Sequence, residues 1–203
     1  SRGLGDVYKR QKLHNLDNMR VFLPSGKAFH FELDAFAGHR LHFDGYLCDK
    51  ALHAGADVQM DEALTRIQHQ SKLDRDILVT TNGRYTFDYL IDASGSLAHV
   101  GRLRHGDDVR YRPEDQVPTM YAQVQGNVPE TFDVFLGSVA PSGYAWIIPK
   151  GPDTANVGLG VLAGDLKGNL KEHLKEFCDE LGCEVLSWGG GWIPMGGPVK
   201  TMV

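Results

Sequence analysis

The side chains best placed to build a binding surface lie in residues 144–160, YAWIIPKGPDTANVGLG. Strand alternation sends Tyr144, Trp146 and Ile148 to one face and Ala145 and Ile147 to the other. Pro149 stops this strand and residues 150–154 have turn composition. The returning strand then places Val157, Leu159 and Val161 on one face and Asn156, Gly158 and Gly160 on the opposite one. Large rings beside bare backbone favour a ligand that contributes buried CH₂ groups more than polar ones. Two readings fit the glycines equally well: they admit a ligand, or they make room for Trp146 across the strand pair. Tyr144 carries a phenol that can give up a proton, and the same ring serves equally well as wall.

Two further stretches carry groups suited to a nucleotide. Arg40 opens the pattern R-x-x-F-D-x-x-L with Phe43, Asp44 and Leu47. A guanidinium binds phosphate through a rigid fork of donors, and the positive end of a helix suits the same anion. On residue type alone, Arg40 is a solvated surface arginine. Residues 90–95, Leu-Ile-Asp-Ala-Ser-Gly, read as a buried strand opening onto small residues that let a ligand approach the backbone.

The elements that must position these groups follow from periodicity. Residues 19–23 and 28–33 form a hairpin around Pro24-Ser25-Gly26-Lys27, and it must pair with strands later than 115 to bury its apolar face. Phe43, Leu47, Ala51 and Ala54 recur at helical spacing, with Asp44 in the first turn and Gly55 at the stop. Strands up to Ile67, at 77–80 and at 85–91, the last two joined through Asn82-Gly83, form a meander. Strands resume beyond Arg102, at 119–125 and 132–139. A helix carries Leu170, Leu174, Phe177 and Leu181, with Asn169 as N-cap, Glu172 in the capping box and Gly182 at its end. Cys178 on that stripe reads as a small buried hydrophobe.

The 203 residues, 42% hydrophobic and 23% charged, have ordinary globular composition. A net charge of −5 without a basic block argues against nucleic acid as a partner. No apolar run is long enough to span a bilayer. Three cysteines and nine scattered histidines fit neither a disulfide framework nor a metal site, so no metal is expected and a reducing, cytoplasmic location is the default. Residues 1–12 show no signal-peptide or element pattern and read as a non-native leader. The run from Gly189 to Pro198 reaches Val203 with no closing element, so the chain reads as an internal fragment of a longer protein.

Tyr144, Trp146 and Pro149, followed after eight residues by Gly158 and Gly160, give Y-x-W-x-x-P…G-x-G. This resembles the substrate-sheet signature of the geranylgeranyl reductase family of FAD-dependent oxidoreductases, with Ile148 where that family usually has Phe. R-x-x-F-D-x-x-L is similar to a motif of the same family and of flavin monooxygenases sharing its fold; there the arginine sits near the flavin phosphates or ribityl chain, which implies such a role for Arg40. Asp92-Ala93-Ser94-Gly95 is similar to the family's second nucleotide-contacting step, usually Ala-Asp-Gly, with Ser94 replacing Asp, Ala98 at the usual Ser position and Arg102 one residue late. That likeness implies cofactor contact at Asp92 and Gly95.

The resemblance covers residues 13–203 and implies an α/β (α+β) fold of the p-hydroxybenzoate-hydroxylase type. In it, a partial FAD/NAD(P)-binding, Rossmann-like domain interleaves with an antiparallel substrate-binding sheet. It assigns 13–38 to a hairpin of that sheet, 39–100 to the FAD domain and 101–203 to the substrate sheet with a covering helix. The Gly-rich first βαβ and the later Gly-Asp motif are absent from the sequence, so this stretch alone is expected to bind FAD poorly. The implied activity is FAD-dependent reduction of isolated C=C bonds in the isoprenoid chain of a lipid or pigment precursor, with the flavin reduced by NAD(P)H or a ferredoxin-type donor protein. Tyr144, Trp146, Ile148, Pro149, Gly158 and Gly160 then line the substrate site, and peripheral contact with a membrane surface is compatible with such a substrate. Two alternatives stand beside it: a flavin-dependent aromatic hydroxylase or halogenase of the same fold, and a lipid or pigment carrier without turnover.

Overall fold

The structure, a computed structural model, describes residues 13–71, 74–109, 111–162, 165 and 168–195. The expected leader, 1–12, and the end of the Gly-rich run, 196–203, lie outside the described residues. Contacts divide the chain into two compact units, one comprising residues up to Gly55 with Val117–Ile193, the other Ala56–Gln116 with the residues from Pro194 onward.

The first unit is built on a seven-stranded sheet in the order β10-β6-β9-β8-β7-β1-β2. The strands are β1 (His14–Phe22), β2 (Ala28–Ala37), β6 (Gln116–Gln125), β7 (Phe132–Gly137), β8 (Ala140–Pro149), β9 (Thr154–Gly160) and β10 (Glu184–Pro194). The β1–β2 hairpin pairs with a late strand as required, with Val21 opposite Val134 and Phe22 opposite Phe135. That junction is parallel, so the sheet is mixed and not the purely antiparallel one expected. β10 is a second difference. Its three consecutive glycines weaken any strand signal, yet it closes the edge beside β6.

One face of the sheet is packed. Ala122, Val124, Ala145, Ile147, Ala155, Val157, Leu159 and Val161 are buried with Leu174, Phe177 and Cys178 of a covering helix (Leu170–Glu180). The helix starts where its cap predicts, the Asn169 side chain accepting the Lys171 N–H at 2.9 Å. Phe22 stacks on Phe135 at 4.8 Å, and Phe135 meets Phe177 edge-on at 5.4 Å, tying the hairpin to that core.

The early helix α1 (Arg40–His53) starts one turn before the expected position, which puts Asp44 in its second turn. It carries no buried residue and groups with the large sheet, whereas 39–100 was expected to go together with the meander.

The second unit holds the antiparallel sheet β3 (Leu64–Gln70), β4 (Arg75–Thr80) and β5 (Arg84–Thr86) and a short helix α2 (His99–His105). The Asn82-Gly83 turn forms as expected, Thr80 N–H donating to Gly83 O at 3.0 Å. The predicted buried strand at Leu90-Ile91 does not: Tyr89 is 92% and Ile91 87% exposed. The β4–β5 ladder stops at Thr86, so among the described residues this run has no flanking strand to bury it. α2 precedes the strands expected at 119–125 and 132–139, which form as β6 and β7. The later helix (Leu170–Glu180) is α3.

Candidate functional site

On the sheet face opposite α3, register brings the predicted residues together. Tyr144 lies opposite Gly160, Trp146 opposite Gly158 and Ile148 opposite Asn156. β6 adds Tyr121 opposite Gly158 and Gln123 opposite Asn156, and β7 adds Val134 opposite Trp146. The Tyr144 and Trp146 ring centroids are 5.8 Å apart, and Tyr144 is 47% exposed. The result is an aromatic surface on an otherwise well-packed sheet.

The two readings of the glycines are resolved differently at each. A Cβ on Gly158 would stand 2.3 Å from Trp146 Cζ2 and 2.8 Å from Met120 O, so this glycine makes room for the indole. Trp146 Nε1 donates to Asn156 Oδ1 at 2.7 Å, which pins the ring in place. At Gly160 a Cβ would come within 3.0 Å of Thr119 Cγ2 and 3.2 Å of Val117 Cγ1. The expected bare floor is therefore filled. Pro149 pairs with Ala155 and is buried on the α3 side, because it shares the parity of Ala145 and Ile147. It shapes the strand end and does not line the open face.

A groove of about 770 Å³ runs over this face, its wall including Leu33, Phe132, Tyr121, Ile148 and Asn156, with His39 and Lys150 also on it. Asn156, Tyr121 and Lys150 escaped the reading of the sequence. Alternation had placed Asn156 on the correct face, but its partnership with Trp146 depends on cross-strand register.

The cofactor candidates fall in both units. Arg40, in the first, has an 85% exposed side chain whose Nε and Nη2 contact Asp44 at 3.0–3.1 Å. Asp92 and Gly95, in the second, come together at a hollow of about 610 Å³ that also takes in Val100, Arg104 and Tyr111. Asp92 Oδ1 accepts from Ser94 N–H at 2.9 Å and Ser94 Oγ–H at 2.6 Å, and Oδ2 accepts from Gly101 N–H at 2.9 Å. Burial works to raise its pKa, but these hydrogen bonds, with His99 nearby, hold it below the usual value. Asp92 thus braces the loop. Gly95 has φ +78°, and nothing lies within 4 Å of where its Cβ would be. Taken separately, Gly95 in the second unit offers open left-handed backbone and Arg40 in the first an exposed guanidinium, each a kind of group that suits a nucleotide.

The fold is a flavoprotein fold. The chain is similar in structure to a geranylgeranyl bacteriochlorophyll reductase-like protein from Thermoplasma acidophilum, with a TM-score of 0.79 and 23% identity over 89% of this chain and 50% of that one. It is also similar to a flavin-dependent halogenase, with a TM-score of 0.69 and 19% identity over 95% of this chain and 40% of the other. Residues 117–188, which include β8 and β9, match the geranylgeranyl reductase catalytic domain. A digeranylgeranylglycerophospholipid reductase from Methanothermobacter thermautotrophicus is 32% identical over 168 residues, 79% of this chain and 43% of that protein. The chain belongs to the geranylgeranyl reductase family. It spans less than half the length of the curated relative it matches at 43%.

Proposed function

We propose that the protein reduces isolated C=C bonds in the isoprenoid chain of a lipid or pigment precursor, using FAD. The observation that carries this reading is the open sheet face, where Tyr144, Trp146 and Ile148 lie in a row and Ile148 lines the groove, while the opposite face is closed by α3. Such a surface offers an alkyl chain ring and CH₂ contacts, each buried methylene contributing about 0.8 kcal/mol. The Asn156 hydrogen bond keeps the indole from swinging, so the surface is preorganised. Each within its own unit, Arg40 and the Gly95 backbone are the candidates of this chain for contact with the cofactor. Bound reduced FAD supplies the hydride, and its own reduction by NAD(P)H or a ferredoxin-type donor belongs to the same proposal. Tyr144, half-exposed on the same sheet face, is the candidate to give the accompanying proton. Among the described residues no helix is long and apolar enough to cross a membrane.

The flavin-loaded protein, kept anaerobic with dithionite and given a geranylgeranyl lipid, is expected to yield product heavier by whole pairs of hydrogen. Hydroxylated or halogenated aromatic product in air, with prenyl lipids untouched, would overturn the proposal in favour of oxygen chemistry on the same fold.

A further inference from the structure

β2 is the last strand of the large sheet, so its outer edge has no strand partner among the described residues. Its ladder to β1 runs in unbroken register from Ala28 to Glu32. Val21 lies opposite both Phe29 and Val134, and Val134 lies opposite Trp146. Phe29 and Phe31 therefore stand on the open face with Trp146, and His30 and Glu32 stand on the other. All four side chains are exposed. Neither the His30 nor the Glu32 side chain has a hydrogen bond or ion pair among the described residues.

The free N–H and C=O groups of a sheet edge are a template for another strand, and charged side chains along the edge ordinarily repel it. On β2 the charges are instead self-complementary. Two copies related by a two-fold axis through Phe31, perpendicular to the sheet, pair antiparallel with each His30 opposite the partner's Glu32. The same register sets Phe31 against Phe31 on the open face, with Phe29 beside the partner's Leu33. Moving the axis to His30 would oppose two histidines, and moving it to Glu32 would oppose two carboxylates. We propose that the β2 edge docks a second copy of this chain, joining two large sheets into one through the His30–Glu32 register. Because the axis is perpendicular to the sheet, the open faces of both copies look the same way. The row Phe31–Met19–Phe132 then carries apolar surface from the axis to the groove wall in each copy.

The test is sedimentation equilibrium of the protein over a range of concentrations, where wild type should show a reversible monomer–dimer equilibrium. His30→Glu sets carboxylate opposite carboxylate, and Glu32→Lys sets an ammonium opposite a histidine. Each should weaken dimerisation about tenfold, because every substitution counts twice across the axis. The double variant His30→Glu with Glu32→Lys restores opposite charges at both pairs and should recover wild-type association. Mixed in equal amounts, the two single variants should dimerise with each other, since each supplies the charge that the other lacks. Phe31→Lys, which brings like charges together on the axis, should also weaken the dimer. These positions are exposed, so the variants should melt with wild type, which separates association from folding. Monomer at every concentration would overturn the proposal. Association indifferent to the charges at 30 and 32, or single variants that fail to pair in the mixture, would overturn it too, since another surface or register would then join the copies.

Discussion

Trp146 lies across Gly158, its indole filling the space a side chain would need and its Nε1 held by Asn156 at 2.7 Å. A strand glycine is thereby turned from a weak point into the seat of the largest ring on the open face.

Gly158→Ala should therefore expel the indole, since its Cβ would sit 2.3 Å from Cζ2. Overpacking of this kind costs about 1–3 kcal/mol. Trp146→Ala in the same background should recover only part of the cost, because Met120 O, at 2.8 Å, is backbone and cannot swing away. Thermal unfolding of the two single variants and the double variant measures this coupling, and simple additivity would mean the ring is not seated on Gly158.

Arg20 of β1 and Asp133 of β7 hold the parallel junction of the hairpin to the sheet. Arg20 Nε reaches Asp133 Oδ1 at 2.8 Å, Thr131 Oγ1 reaches the same oxygen at 2.7 Å, and Asp133 is only 2% exposed. Arg20→Met should destabilise by about 3 kcal/mol, the lower end for stranding a buried charge, since Arg20 itself is partly solvated. Arg20→Met with Asp133→Leu should recover most of it. Denaturant unfolding of both variants decides the point, and a neutral single variant would show the pair to be incidental.

Local signals revealed most of this fold. Asn169 and Gly182 bracket α3, Asn82-Gly83 makes its turn, and alternation placed Tyr144, Trp146 and Ile148 on one face. What stayed hidden depends on partners distant in sequence. Pro149 falls on the packed face only because β8 continues its alternation to Ala155's level. β10 needs the β6 edge to become a strand, and Leu90-Ile91 lacks a neighbour among the described residues despite its apolar composition. Lys150 reads as part of a turn, and only packing brings it to a hollow it shares with α1.

The three cysteines should differ sharply in reactivity. Burial pushes the Cys178 thiol up to about 11 and raises Cys183 as well, whereas Cys48 is partly accessible. At pH 8 only about one Cys178 in a thousand is thiolate. A thiol reagent should modify Cys48 on the native protein and reach the other two only after unfolding. Rapid native modification of Cys178 would mean that α3 does not stay packed on the sheet.

Arg40→Ala in the flavin-loaded protein should measurably weaken FAD retention if the guanidinium contacts the cofactor. Asp44 is its partner in the described structure, so Asp44→Ala should free the guanidinium and leave retention equal or better. Unchanged affinity in Arg40→Ala would return it to an ordinary surface residue.

The most direct measurement follows flavin absorbance after anaerobic mixing of the dithionite-reduced protein, freed of excess reductant, with a geranylgeranyl lipid and, separately, with its fully saturated counterpart. The account predicts reoxidation by the unsaturated lipid alone, with one flavin oxidised for each double bond lost. Flavin that stays reduced with every prenyl compound offered, or that reoxidises equally with the saturated lipid, would contradict it.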